Sequence, residues 1–416
     1  MFTWLKDYIY FLYRCIILSF RGSKIFYAWM TVLTVLTLIG LNAYCKQLVG
    51  GLYLTGLTDH VSWGLYIANF TYLVGMAAAA VMLVIPVYVY KEKKLENVVI
   101  IGELFAIAAI IMCLLFVIVD LGRPDRFWHL IPGIGKFNWP VSMLSWDVVV
   151  LNIYLVLNLH VCGYLLYMKY LGRQPSKLFY MPFVFLSIVW AISIHTVTAF
   201  LFAGLGGRPF WNTAILGPRF IASAFASGPA FIVLTLQVIR KFTNYEVKEV
   251  TLLVLRKIIQ VALIISVFLL LNEFFTEFYT DSLHVASMQY LFFGLHGYNG
   301  LVPWIWTAMV FNILALIIIV LPISKNIRYF NIACILMIIG IWIEKGMGLI
   351  IPGFIPTPLG EVVEYTPTFN EILVCIGIWA FGFLFYTILL KLAIPILKGD
   401  FNIDLEYAKI KKERGV

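Results

Sequence analysis

Charge is what this sequence has little of. Only 12% of its 416 residues are Asp, Glu, Lys or Arg, against 62% hydrophobic and 16% aromatic. A soluble domain carries about 25% charged residues. So few charges cannot clothe a water-facing surface, which excludes a cytosolic enzyme, a disordered regulator and a secreted disulfide scaffold. Paired cysteines are missing too. The six stand singly at 15, 45, 113, 162, 334 and 375, with no CxxC and no CxxCH. A lone Cys in an apolar run is a small hydrophobe. The chain therefore offers no thiolate cradle for an iron–sulfur cluster and no attachment point for haem c. A clear signal peptide is absent as well: Arg14 interrupts the apolar stretch 8–20, and no small-residue cleavage site follows.

What is present is a series of long apolar runs, at 25–45, 61–90, 97–120, 142–168, 178–205, 213–239, 252–279, 301–323, 327–350 and 371–395. Each meets the requirement of about 20 residues for a membrane span. The expected fold is all-α, a polytopic membrane protein with ten transmembrane helices. The stretch 8–20 is too short to span and reads as an interfacial amphipathic helix within 1–24, with Lys6, Arg14, Arg21 and Lys24 toward headgroups. The rest divides into a first span and outer loop (25–60), two four-helix bundles (61–205 and 213–350), an outer loop with the last span (351–395) and a tail (396–416). Small residues in GMAAAA (75–80) and IASAFASGPA (221–230) suit close helix approach.

Ten spans place both termini on one side. Of the 30 Lys and Arg, 23 fall in the tails and loops of that side, six on the other, and Lys345 within a span. The positive-inside rule then puts both termini in the cytoplasm. The opposite loops are longer and carry Gly, Pro and Trp, at 121–141, 206–218, 280–300 and 351–370. Function is expected at that outer face, with the acidic, Pro-rich loop 351–370 as a docking surface.

Ionisable residues inside spans are costly, so each is a functional candidate. Asp120 ends the third span, and Arg123 follows it. Asp147 lies ~8 Å and His195 ~15 Å inside the outer boundary, counted at ~1.5 Å per residue. Arg219 opens the sixth span. Glu273 and Glu277 share one face of the seventh, and Glu344 and Lys345 lie near the outer end of the ninth. Only Glu103 and His160 sit toward the cytoplasmic half. A carboxylate, an imidazole and a guanidinium from adjacent helices suit a redox ligand whose oxygens exchange protons, as those of a quinone do. Each residue also has a plainer reading. Asp147 and Arg219 would pair to fix helix register, Asp120 and Arg123 would staple a loop, and Trp63, Trp146 and Trp211 would anchor at the interface. A bis-His haem is disfavoured, because His160 and His195 differ by ~12 Å in depth. Glu103 and His160 are left as steps of a proton path or as packing contacts.

The run DLGRPDRFWH (120–129), then SWD (145–147), then HTVTAFLFAGLGGRPFWNTAILGPRFIASAFASGPA (195–230) resembles the NrfD-like integral membrane subunits. Within that family the likeness is closest to the subunit of the sulfite-reduction-associated membrane complex. The resemblance implies a menaquinone-binding subunit with no haem or iron–sulfur cluster of its own. It implies an external ferredoxin-like iron–sulfur partner, and in such a complex a haem b membrane subunit, a cytoplasmic iron–sulfur catalytic subunit and a multihaem cytochrome c. It assigns headgroup contact or proton exchange to Asp147, His195 and Arg219, an outer rim to Asp120 and Arg123 with Trp63 alongside, and proton movement to Glu103 and His160. It gives no firm role to Glu273, Glu344 and Lys345, the first two of which join the proton path only as lesser candidates. The competing expectation is a secondary transporter or channel, for which Pro229 near the middle of the sixth span is the supporting feature.

Overall fold

The structure is a computed structural model, and it describes residues 3–78, 80–92, 95–280 and 285–406. Lys93, Lys94 and the tail beyond residue 406 lie outside the described residues. The described residues are helical, with two isolated bridges and no strand among them. In chain order the helices are α1 (Thr3–Ser19), α2 (Lys24–Gly50), α3 (Leu65–Ala78), α4 (Val81–Val84), α5 (Glu96–Asp120), α6 (Met143–Tyr170) and α7 (Lys177–Ala203). There follow α8 (Leu216–Phe242), α9 (Glu249–Thr280), α10 (Val285–Phe292), α11 (Val302–Val320), α12 (Ile327–Lys345), α13 (Met347–Ile350) and α14 (Phe369–Lys398). Ten segments among them are long and apolar enough to cross a membrane, at the ten positions expected from the apolar runs.

Two of the ten are interrupted. The second span continues from α3 through α4 into a π-helical turn, Ile85–Val89. Pro86 sits in that turn, where its missing N–H and its ring oppose regular α-helix. The ninth span breaks at Gly346, between α12 and α13. A side chain at Gly346 would meet the Trp342 carbonyl at 2.6 Å and α3 at Ala68 at 3.4 Å, so the break is pressed against α3.

Packing follows two groupings. Helices α3, α5, α6 and α7 contact one another, as do α8, α9, α11 and α12. The groups meet where α8 packs on α3 and α7, and where α12 touches α3. The α3–α8 seam is close because Gly75 faces Ala224. Helix α14 lies along α5 and carries α2 on its outer side. Gly40 and Gly377 allow that last contact: a Cβ on Gly40 would lie 2.4 Å from the Gly377 Cα.

Helix α1 packs through Cys15 against Tyr170, Ile396 and Phe401, at the ends of α6 and α14. Burial pushes the Cys15 thiol up to about 12. Arg14, expected to face headgroups, instead pairs with Glu406 at 2.5 Å. The cause is the fold itself, which returns the chain after α14 to the same end as α1.

On the opposite side, the loop 351–370, read from the sequence as a docking surface, is in large part folded into the protein as a plug. Ile351, Phe354, Ile355, Thr357 and Tyr365 are buried, while residues 358–361 are exposed. Ser287 Oγ donates to the Ile355 carbonyl (2.7 Å), Arg208 to the Phe354 carbonyl (3.3 Å) and the Gly300 N–H to Glu364 (2.7 Å). Partial burial lowers the Arg208 guanidinium from its ordinary value. Glu371 closes the plug. It accepts from the Gly56 N–H (2.6 Å), the Tyr365 hydroxyl (2.7 Å) and the Thr368 N–H (3.0 Å) in a capping box at the start of α14. The segment 121–141 also exposes aromatics on this face, at Phe127, Trp128 and Trp139.

Candidate functional site

Asp147 stands in the second turn of α6 and is buried. Thr198 on α7 donates a 2.8 Å hydrogen bond to Asp147 Oδ1. His195 precedes Thr198 by three residues, so both point to one face of α7. His195 Nδ1 lies 3.1 Å from the Ala191 carbonyl. A carbonyl can only accept, so Nδ1 carries the proton and Nε2 presents a lone pair in the neutral ring. That Nε2 is buried with no hydrogen-bond partner among the described residues. It faces the inter-bundle seam, 3.9 Å from where a Cβ on Gly75 would be. A buried acceptor of this kind can take a hydrogen bond from a ligand donor.

Arg219 goes elsewhere. Its terminal nitrogens pair with Glu273 and, at 2.9 Å, with Glu344, while Asn312 Nδ2 donates to the other Glu344 oxygen at 3.1 Å. Arg219, Glu273, Glu344 and Asn312 thus join α8, α9, α12 and α11. Paired and hydrogen-bonded, the charges are tolerated in an apolar interior. The pairing of Asp147 with Arg219 that register-fixing would have required is absent: Thr198 holds Asp147. Next to the network, the Lys345 ammonium lies 4.2 Å from the Phe220 ring centroid and has no hydrogen-bond partner among the described residues.

Asp120 and Arg123 separate. Arg123 forms a bidentate pair with Asp125 (3.0 and 2.9 Å) on the exposed turn. Arg123 holds the Asp125 carboxyl below the usual carboxylate range. Asp120 instead lies within electrostatic reach of Tyr66 and Glu371. There the Tyr66 hydroxyl donates to Gln47 (2.6 Å) and Gln47 to the Val119 carbonyl (2.7 Å). A cavity of about 260 Å³ opens beside Gln47, Tyr44, Gly122 and Arg123.

The tryptophans were expected at the interface. Trp211 is fully buried and donates to the Leu349 carbonyl at 2.8 Å. Trp63 packs 5.7 Å from it, with Phe202 and Phe354 completing an aromatic lid at the end of the seam away from the chain termini.

Toward the termini, Glu103 is buried and accepts from the Cys162 thiol at 3.3 Å. His160 does not join it. Two residues from Cys162 means the far side of α6, and His160 bonds the Phe179 carbonyl at 2.8 Å and packs on Phe183. Tyr88 lies within electrostatic reach of Glu103 and Cys162. Tyr88 and Tyr180 line a cavity of about 650 Å³ with Lys91, Glu96, Lys169 and Arg173 at its mouth. Among the described residues no three His, Cys, Asp or Glu side chains gather to hold a metal ion.

Sequence reasoning missed Thr198 and Tyr88. Thr198 was findable from its i+3 spacing to His195; Tyr88 had no local signal.

These features define a polytopic helical membrane protein with a buried polar seam between two helix groups. The chain belongs to the NrfD polysulphide reductase family, whose profile matches residues 53–357. It is 26% identical over 389 residues to the Hdr-like menaquinol oxidoreductase integral membrane subunit of Archaeoglobus fulgidus, covering 89% of this chain and 94% of that one. It is 24% identical over 429 residues to a selenate reductase subunit of Mesobacillus selenatarsenatis, covering 92% and 97%. It is 25% identical over 379 residues to the menaquinone reductase integral membrane subunit of Nitratidesulfovibrio vulgaris, covering 83% and 86%.

Proposed function

We propose that this chain is the quinone-reactive membrane subunit of a respiratory electron-transfer complex. It exchanges electrons between menaquinol and an external iron–sulfur subunit docked on the face that carries 121–141. Two relatives bear names of menaquinol or menaquinone oxidoreductase subunits, and family membership weighs against the transporter reading. The observation that carries the proposal is the open, buried His195 Nε2 in the inter-bundle seam, on the same helix face as the Thr198 that holds Asp147.

The residues present fit a quinone headgroup. His195 Nε2 takes a proton from a ligand hydroxyl or returns it, Nδ1 remaining fixed on the Ala191 carbonyl. Asp147, oriented by Thr198, is the second proton-exchanging group. The Trp63–Trp211–Phe354 lid keeps water from the seam. A quinone, when bound, supplies the two-electron chemistry that no side chain here can. Glu103, with Cys162 and Tyr88, connects the terminal-side cavity inward and gives protons a route if turnover is coupled to their movement.

Purification of the native complex in mild detergent, with quinone extraction and mass spectrometry, tests the class: menaquinone and iron–sulfur subunits should co-purify. His195→Ala should abolish most quinol-dependent activity while leaving assembly intact. Normal quinol turnover in that variant would overturn the site.

A further inference from the structure

Two buried polar atoms at the seam between the helix groups lack partners among the described residues: His195 Nε2 and Lys345 Nζ. They differ in kind. His195 Nε2 is an acceptor, as its Nδ1 contact requires. Lys345 has only hydrogens to give. A buried ammonium that donates no hydrogen bond is costly, and the Phe220 ring, 4.2 Å away, offsets only part of that cost.

The acidic neighbours attract Lys345 without hydrogen-bonding it. Glu344, adjacent in sequence, lies within electrostatic reach, yet its two oxygens accept from Arg219 and Asn312. Glu273 is held by Arg219. Lys345 is the last residue of α12, and the chain breaks directly after it at Gly346, pressed on Ala68 of α3. An interrupted helix in a membrane interior is tolerated where it borders a protein-lined site.

The two open atoms are also near one another. Lys345 lies over Phe220 on α8, and His195 shares the Gly75 contact with Ala224 on α8. Phe220 and Ala224 are one helical turn apart, ~6 Å along the axis. Lys345 is within electrostatic reach of the His195 ring. An aromatic ring with oxygens at opposite ends would bridge such a pair.

We infer that Lys345 is a ligand-facing residue that donates a hydrogen bond to one headgroup oxygen of a membrane quinone while His195 Nε2 accepts from the other. This inference rests on the quinone-site reading above and adds the polarity of the site. The oxygen at Lys345 is met by a donor and the oxygen at His195 by an acceptor, so the two hydroxyls of a bound hydroquinone meet different groups, and the one at His195 is the one placed to give up its proton. The second helix group supplies this residue, and Arg219, Glu273, Glu344 and Asn312 act as the scaffold that positions it.

The test uses the intact complex in detergent. Equilibrium binding of heptyl-hydroxyquinoline N-oxide, a quinol analogue whose fluorescence is quenched on binding, is measured beside the KM and kcat for quinol. Lys345→Met should weaken analogue binding and raise KM by about tenfold or more, as expected for one charge-assisted hydrogen bond. Lys345→Arg should recover a large part of both. Because Lys345→Met leaves the carboxylate pair with one cation, the charge-balanced double variant Lys345→Met, Glu273→Gln is prepared as well, and it should show the same binding loss with a thermal midpoint near wild type. Unchanged analogue affinity in either well-assembled variant overturns the role of Lys345. Binding that falls only in step with thermal stability, with no recovery in Lys345→Arg, also overturns it and leaves a purely structural charge. A wild-type complex that neither binds the analogue nor oxidises quinol overturns instead the quinone-site reading beneath it.

Discussion

Thr198 Oγ1 donates a 2.8 Å hydrogen bond to Asp147 Oδ1, and the same helix face presents His195 three residues earlier. One hydroxyl therefore fixes the carboxylate of α6 relative to the imidazole of α7. The pair is buried, so the partner left behind by a substitution would be unsatisfied.

Thr198→Val keeps the shape and removes the donor. It should destabilise the protein by about 1–3 kcal/mol and lower quinol-dependent kcat, while Thr198→Ser should retain most of both. Thermal unfolding monitored in detergent and steady-state quinol oxidation check this. Equal stability of the Val and Ser variants would remove the hydrogen bond from the account.

Arg219→Ala leaves Glu273 and Glu344 buried without their cation. Breaking a buried pair from one side costs about 3–5 kcal/mol, so the subunit should fail to accumulate in membranes. The double variant Arg219→Gln, Glu273→Gln, which removes one charge of each sign and leaves Lys345 with Glu344, should accumulate better than Arg219→Ala alone. Quantitative immunoblotting of membrane fractions distinguishes them, and the reverse order would argue against a charge-balanced network.

Glu371→Ala removes the acceptor shared by Gly56, Tyr365 and Thr368. The expected result is faster hydrogen exchange at Gly56 and through 351–368, with little change in α8 or α9. Mass-spectrometric exchange on the detergent-solubilised protein reads this directly. Uniform loosening of the whole chain would mean that the plug is not a local unit.

Sidedness follows from the basic residues. A Leu359→Cys substitution, at an exposed tip of the plug, should react with a membrane-impermeant maleimide added to intact cells. A Lys177→Cys substitution should react only after the membrane is opened. The opposite pattern would invert the orientation that the charge distribution predicts.

The sequence by itself determined the ten spans, because ~20 apolar residues have few alternatives to a membrane helix. It also marked the ionisable residues inside spans, though not which of them the protein buries: Glu103, Asp147, His195, Arg219, Glu273 and Glu344 are buried, whereas His160 is only partly so. Tertiary structure alone decided their partners. Arg219 and Asp147 each stand near the start of a span, yet one turns to Glu273 and Glu344 and the other to Thr198. Glu103 meets Cys162 rather than His160, because a two-residue offset reverses direction around a helix. Trp211 is a plug anchor rather than an interfacial one, because the Gly353 backbone folds back onto its ring. Hydropathy is a property of each segment taken alone and can be read along the chain. Pairing depends on the rotation and depth of one helix against another, and those are set by close approaches such as Gly75 on Ala224 that no single segment contains.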